Sequence, residues 1–163
     1  IAKSRSSVRD YNNKKVEPEK LEKILEAAHV APTAANLQPV HLIVVQSEEG
    51  LAKIGKAANI YGASLAIIVC ADHDKAWVRP FDGKQTGDID ASILTDHMML
   101  QATELGLGSL WCGVHPQKHA EKRIADILGL TNKQIPLNIV YIGHPAEEPE
   151  PRDQYKEENI HWI

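Results

Sequence analysis

The stretch APTAANLQPVHLIVV, Ala31–Val45, passes from the end of a helix into a strand through nine residues. Those nine carry small side chains, two prolines, one asparagine and one glutamine. Upstream, PEKLEKILEAAHV places Leu21, Ile24, Leu25 and Ala28 at i, i+3, i+4 and i+7, an apolar helical stripe that Pro18 can open. Downstream, Val40–Val45 reads as a buried strand. Taken alone, Ala31–Pro39 reads most simply as a connector. Its alternative is a loop whose small side chains let main chain approach a planar ligand, with the amides of Asn36 and Gln38 free to donate and accept.

The rest of the chain alternates in the same way. A short helix is expected from Glu48 to about Ala58, and a second strand at Leu65–Ala71. A polar excursion without clear period runs from His73 to Gly87, and a long helix from Ile89 to Leu105 carries Ile89, Ile93, His97 and Leu100 on one side. GLGSLWCGV then turns into a strand. A helix with Ala120, Ile124, Ile127 and Leu128 on one face follows, closed by Gly129. Leu137–Gly143 is the last clear strand. Four or five strands interleaved with four helices imply an α/β or α+β sheet with covered faces, in a single domain spanning residues 1–163. The tail, about residues 144–163, is charged and proline-rich yet ends on Ile160, Trp162 and Ile163, so it is expected to dock on something, such as a partner subunit.

Composition removes several functions. The 163 residues are 43% hydrophobic and 25% charged, ordinary for a globular protein, and the net charge of −4 supplies no basic field for nucleic acid or an anionic membrane. The longest apolar run, LAIIVCA, falls far short of the roughly 20 residues that span a bilayer. No secretory apolar segment opens the chain, and Ile1 in place of Met suggests a few preceding residues. Cys70 and Cys112 have no CxxC spacing, so a reducing cytoplasm is the simplest home. His115 and His119 stand four apart and His73 lies between two aspartates, but no further ligand is in register, so no metal is expected. His97 reads as a core residue.

SRSSVRDY opens the chain. In extended backbone, Arg5, Ser7 and Arg9 share one side while Ser6, Val8 and Asp10 share the other. Two guanidinium forks around a hydroxyl suit a phosphate, although a frayed basic terminus is the simpler reading. Gly106, Gly108 and Gly113 follow a helix and do not form a dinucleotide fingerprint.

The series formed by Arg-Ser-Ser-x-Arg at Arg5–Arg9, Pro-x-x-x-Asn-x-Gln-Pro at Pro32–Pro39, LGLGSLWCG at Leu105–Gly113 and GHPAEEPEPR at Gly143–Arg152 resembles the FMN-dependent nitroreductase family over nearly the whole chain. The resemblance implies an α+β fold with a central, mostly antiparallel sheet flanked by helices, in an intertwined homodimer with FMN at the subunit interface. It implies electron transfer from NADH or NADPH through flavin N5 to nitroaromatics, quinones or similar acceptors by a ping-pong mechanism, with no catalytic side chain. The loop from Pro32 to Gln38 would reach the flavin of the other subunit, with Thr33, Ala34 and Asn36 along the ring and ribityl chain. Arg5, Ser6 and Ser7 match positions for the phosphate and ribityl hydroxyls. Arg9 matches a cation near the pyrimidine edge, where it would stabilise charge gathered on reduction. Leu110, Trp111, Cys112 and Gly113 match the strand edge facing flavin N5 and O4, and Arg152 matches a second phosphate-binding cation. Larger relatives carry another basic residue where Gln154 stands. Trp77, Arg79 and Phe81 are candidates for a lid or acceptor-binding element. Two alternatives remain in view: a flavin-binding redox sensor or carrier without turnover, and another chemistry of the family such as reductive dehalogenation.

Overall fold

A computed structural model describes residues 1–150 and 156–163. Four helices and four strands alternate along it. They are α1 (Pro18–His29), β1 (Val40–Val45), α2 (Glu48–Gly55), β2 (Leu65–Ala71), α3 (Gly87–Glu104), β3 (Gly108–Gly113), α4 (Lys118–Leu128) and β4 (Ile135–Gly143). The strands form one antiparallel sheet in the order β1-β2-β4-β3. The expected α+β architecture is therefore present.

β2 explains the layering. All seven of its residues are buried, so LAIIVCA shows no alternation: both of its faces are covered. Leu65, Ile67 and Val69 face one layer with Ile24 and Ala28 of α1 and Ala91, Leu94 and Met98 of α3. Ala66, Ile68 and Cys70 face the other, with Leu51 and Ile54 of α2 and Ile124 of α4. Local signals close the elements: the Ser47 hydroxyl accepts from Gly50 N–H at 3.1 Å to cap α2, and Gly129, at φ 65°, ends α4 in the left-handed conformation.

Four expectations are corrected. Val40–Val45 is a strand but not a buried one: it lies at the sheet edge, where Val45 is buried, Val44 is exposed and the other four residues are half-buried. α2 stops at Gly55, where the N–H groups of Lys56 and Ala57 turn to carbonyls three residues back, those of Lys53 and Ile54, and tighten the last turn. β4 begins at Ile135, two residues early; Pro136, which has no N–H to donate, is accommodated opposite Cys70 beside a register shift at Val69/Cys70. The inward face of α3 is not the row of Ile89, Ile93, His97 and Leu100. Ile89 is 52% exposed, and His97 and Leu100 line a groove against α1, while Ala91, Leu94, Thr95, Met98, Met99 and Ala102 are buried. Apolar residues surround this helix, so their spacing alone leaves the inward side undecided.

No helix among the described residues is long and apolar enough to cross a membrane. Ahead of α1, Glu17 lies 2.8 Å from Lys14 Nζ and 3.0 Å from His144 Nε2. Hydrogen bonding by Lys14, then by backbone and His144, pulls the Glu17 carboxyl from 4.5 to about 2. A lowered folded-state pKa contributes stability above the unfolded value that is lost as pH falls from 4.5 towards 2. Glu17→Gln should therefore flatten the melting-temperature curve modestly in that window, since solvent screens the group. Superimposable curves for the two proteins would remove Glu17 from the account.

Candidate functional site

The N-terminal segment is held at two places. Ser7 forms a parallel bridge with Ser109 at the start of β3, and Val8 N–H donates to the Ser109 carbonyl at 3.0 Å. Farther on, Asn12 N–H donates to the His144 carbonyl at 2.9 Å, and the Tyr11 hydroxyl to the Tyr141 carbonyl at 3.3 Å. The expected alternation holds only across Ser7–Arg9, where Val8 is buried between two exposed residues; Arg5 and Ser6 are both half-buried, and Asp10, expected on the side of Val8, is exposed.

This attachment sets Arg5, Ser6, Ser7 and Arg9 beside β3, which lies at one edge of the sheet. Among the described residues the buried hydroxyls of Ser6 and Ser109 have no hydrogen-bond partner, a cost normally removed by a ligand or water. Leu110 is buried and contributes to the core. Trp111 is 39% exposed, and a Cβ built on exposed Gly113 would meet nothing within 4 Å, so open space faces the end of the strand. Arg9 reaches this end electrostatically. Burial pushes the Cys112 thiol above its ordinary range and the Arg9 guanidinium partly offsets it. A thiol so raised stays protonated near neutral pH and is a poor nucleophile.

The loop of Pro32–Gln38 occupies the opposite side. Ala35, Asn36 and Gln38 have φ of 50°, 53° and 49°, left-handed values that cost roughly 1–2 kcal/mol for each residue with a Cβ. Four hydrogen bonds fix the shape. Ala34 N–H donates to Asp90 Oδ1 at 2.9 Å, and Gln38 N–H to Thr33 Oγ1 at 3.1 Å. Asn36 N–H donates to the Thr33 carbonyl and Leu37 N–H to that of Ala34. Pro32, Asn36 and Gln38 are exposed, while Thr33 and Ala34 are half-buried. An open concavity of about 220 Å³, lined in part by Thr33 and Gln38, lies beside the loop.

The two groups do not meet within one chain. The loop leads into β1, the other edge strand, so β2 and β4 stand between it and β3. Three strand spacings separate those edges by about 14 Å.

The excursion after β2 is an ordered hairpin. Val78 pairs with Gln85, Arg79 N–H donates to the Lys84 carbonyl at 2.9 Å, and Thr86 N–H to the Trp77 carbonyl at 3.0 Å. Two-residue pairing is too short to leave a period in the sequence. Trp77 is half-buried at its base and Phe81 is 80% exposed at its tip. Arg79 is engaged by Asp82, with its guanidinium carbon 5.1 Å from the centre of the Phe81 ring.

His73 and His115 are tied to carboxylates. Asp88 lies 2.8 Å from His73 Nε2 and 3.5 Å from His115 Nε2, and Glu121 lies 2.6 Å from His115 Nδ1. Among the described residues no group of three or more His, Cys, Asp or Glu side chains is arranged to hold a metal. Arg152 lies outside the described residues. Asp90, which anchors the loop, was missed by the sequence reading. Its signal was an acid four and eight residues ahead of Leu94 and Met98, hence on the buried row of α3.

Comparison with known proteins identifies the family and the fold. The Nitroreductase family model matches residues 2–61 and 55–144. A nitroreductase family protein from Clostridium difficile is 50% identical, with a TM-score of 0.88 covering 98% of this chain and 91% of that one. An FMN-dependent nitroreductase from another strain of that species is 32% identical, with a TM-score of 0.87 over 98% and 95% of the two chains. A protein provisionally named NADH dehydrogenase/NAD(P)H nitroreductase from Archaeoglobus fulgidus is 36% identical over 97% of this chain and 92% of its own.

Proposed function

The chain belongs to the nitroreductase family, and from that premise we propose that it is an FMN-dependent oxidoreductase. It draws electrons from NADH or NADPH and delivers them, by ping-pong turnover, to nitroaromatics, quinones or similar electron-poor acceptors. The observation that carries this reading is the orphaned, buried Ser6 hydroxyl among Arg5, Ser7 and Arg9 on the open edge of β3. That edge fits a phosphate and a polyol chain: a guanidinium fork pairs with phosphate oxygens, and a hydroxyl without a partner gains one.

When bound, the flavin would supply reversible two-electron chemistry. The chain's part is to hold and orient. Arg5 and Ser7 grip the phosphate, with Arg152 as a second cation. Arg9, at the Cys112 end, fixes positive charge where negative charge gathers. Peptide groups of Trp111–Gly113 face the reacting edge, and the protonated Cys112 serves as packing.

The loop of Pro32–Gln38 completes the site of a second copy, because its own chain holds it at the far edge of the sheet. A homodimer follows. The tail, whose Trp162 is 90% exposed in the single chain, docks on the partner. Trp77, Arg79 and Phe81 bound the side from which acceptors arrive.

The visible absorption spectrum of the purified protein, before and after anaerobic addition of each nicotinamide, tests this reading. Bleaching of a flavin spectrum identifies the donor. A spectrum that persists with both donors transfers the reading to a sensor or carrier, and no flavin after reconstitution overturns it. Arg9→Ala should lower the midpoint potential of bound FMN by several tens of millivolts, as expected when one nearby charge-stabilising cation is lost. An unchanged potential would remove Arg9 from that role.

A further inference from the structure

We propose that Asp90 is a positioning residue that joins the cofactor loop to the Trp77–Thr86 hairpin, so that the acceptor side and the cofactor side of the site shift together. The proposal rests on the FMN reading above.

Asp90 is 2% exposed, and a carboxylate is costly to bury unless its oxygens are engaged. Among the described residues its side chain has no cationic partner within salt-bridge distance; its partners come from two separate loops. Oδ1 accepts the Ala34 N–H at 2.9 Å, and Oδ2 lies 3.4 Å from Thr86 Oγ1. Its place in the first turn of α3 sets the negative charge at the positive end of the helix.

Both contacts fall on sensitive points. Ala34 is the first residue of the short turn whose next two residues, Ala35 and Asn36, are left-handed. Backbone in that region persists only where its surroundings hold it. The bond to Asp90 is the side-chain tether that comes from outside the loop, since Thr33 acts from within.

Thr86 closes the hairpin. Its N–H donates to the Trp77 carbonyl at 3.0 Å, and its hydroxyl lies 3.3 Å from the same carbonyl and 3.4 Å from Asp90 Oδ2. A threonine hydroxyl has one proton to donate, so it serves Trp77 or Asp90 and not both fully. Movement of Trp77 frees that proton for Asp90, and release of Asp90 returns it to Trp77. The shared proton is the physical link between the hairpin that carries Phe81 and the loop that carries Asn36.

Amide exchange on the full chain, with and without added FMN, tests this. Asp90→Ala should accelerate exchange of the Ala34 and Asn36 amides by about tenfold or more, the effect of losing a charge-assisted hydrogen bond. Amides of α4 should stay unchanged. Asp90→Asn keeps an acceptor for Ala34 and offers an amide donor to Thr86, so exchange should stay within about threefold of the original protein. Thr86→Val should accelerate the hairpin amides of Arg79 and Thr86 and abolish any further change there on adding Asp90→Ala.

In the FMN titration, Asp90→Ala should weaken binding by about tenfold while Asp90→Asn restores it. Unchanged Ala34 exchange in Asp90→Ala, or equal acceleration in α4, would overturn the proposal. So would independent, additive effects of Asp90→Ala and Thr86→Val on the hairpin. Failure of the unaltered protein to bind FMN would instead remove the cofactor reading, leaving the exchange results to judge the link.

Discussion

Mixing an Arg5→Glu chain with an Asn36→Val chain should restore about one quarter of the FMN capacity that each variant lacks alone. Arg5→Glu puts negative charge where a phosphate is to bind, and Asn36→Val forces a β-branched residue into a left-handed position. In a mixed dimer one site carries both lesions and the other carries neither. Random reassociation makes about half of the dimers mixed, hence the quarter. The prediction follows from the sheet order, which holds Arg5 beside β3 and Asn36 ahead of β1 at opposite edges. Subunits are exchanged by joint unfolding and refolding, and retained flavin is counted by absorbance. Zero recovery, with each variant folded and dimeric, would place the whole site in one chain.

Gly108→Ala should cost about 1–3 kcal/mol of stability, the usual range for overpacking, and reduce FMN affinity with it. A Cβ at residue 108 would lie 2.8 Å from Val8 Cγ2 and 2.9 Å from both Val8 Cβ and Cγ1. A β-branched side chain has little freedom to turn away, and here every atom of it is too close. The segment must lift, breaking the Val8–Ser109 hydrogen bond that sets Arg5, Ser6, Ser7 and Arg9 along the strand. Val8→Ala in the same chain should recover much of the loss. Gly113→Ala, whose Cβ meets open space, should change stability by no more than about 0.5 kcal/mol. Thermal melts that fail to separate Gly108→Ala from Gly113→Ala would refute the close-packing argument.

Much of this architecture was legible in residue order. The α1 stripe, the unbroken apolar run of β2 and the glycine closing α4 each have one strong local cause, and each is found where that cause puts it. α3 escaped because its apolar residues lie all round, leaving the choice of inward face to neighbours distant in sequence. The shape of the Pro32–Gln38 loop escaped for another reason. Ala35 and Gln38 take a left-handed conformation that neither residue type announces, and the acid that helps to impose it lies 56 residues away in sequence. In the N-terminal segment the alternation is found only around Val8, and the partner strand was not readable from it. Arg152 and Gln154 lie outside the described residues.

Among the described residues β1 pairs on one side only, with β2, and its sequence VHLIVV holds no charged Lys, Arg, Asp or Glu, no glycine and no proline. A flat apolar edge of that kind templates aggregation. For a newly made chain, the interval before the fold is complete is therefore the hazardous one, because stacking with other unfinished copies competes with pairing to β2. Pro39, just ahead of the strand, and Glu48 and Glu49, soon after it, act as gatekeepers that limit how far such stacking can spread. Expression yield should accordingly fall when either flank is neutralised, even where the finished protein is equally stable.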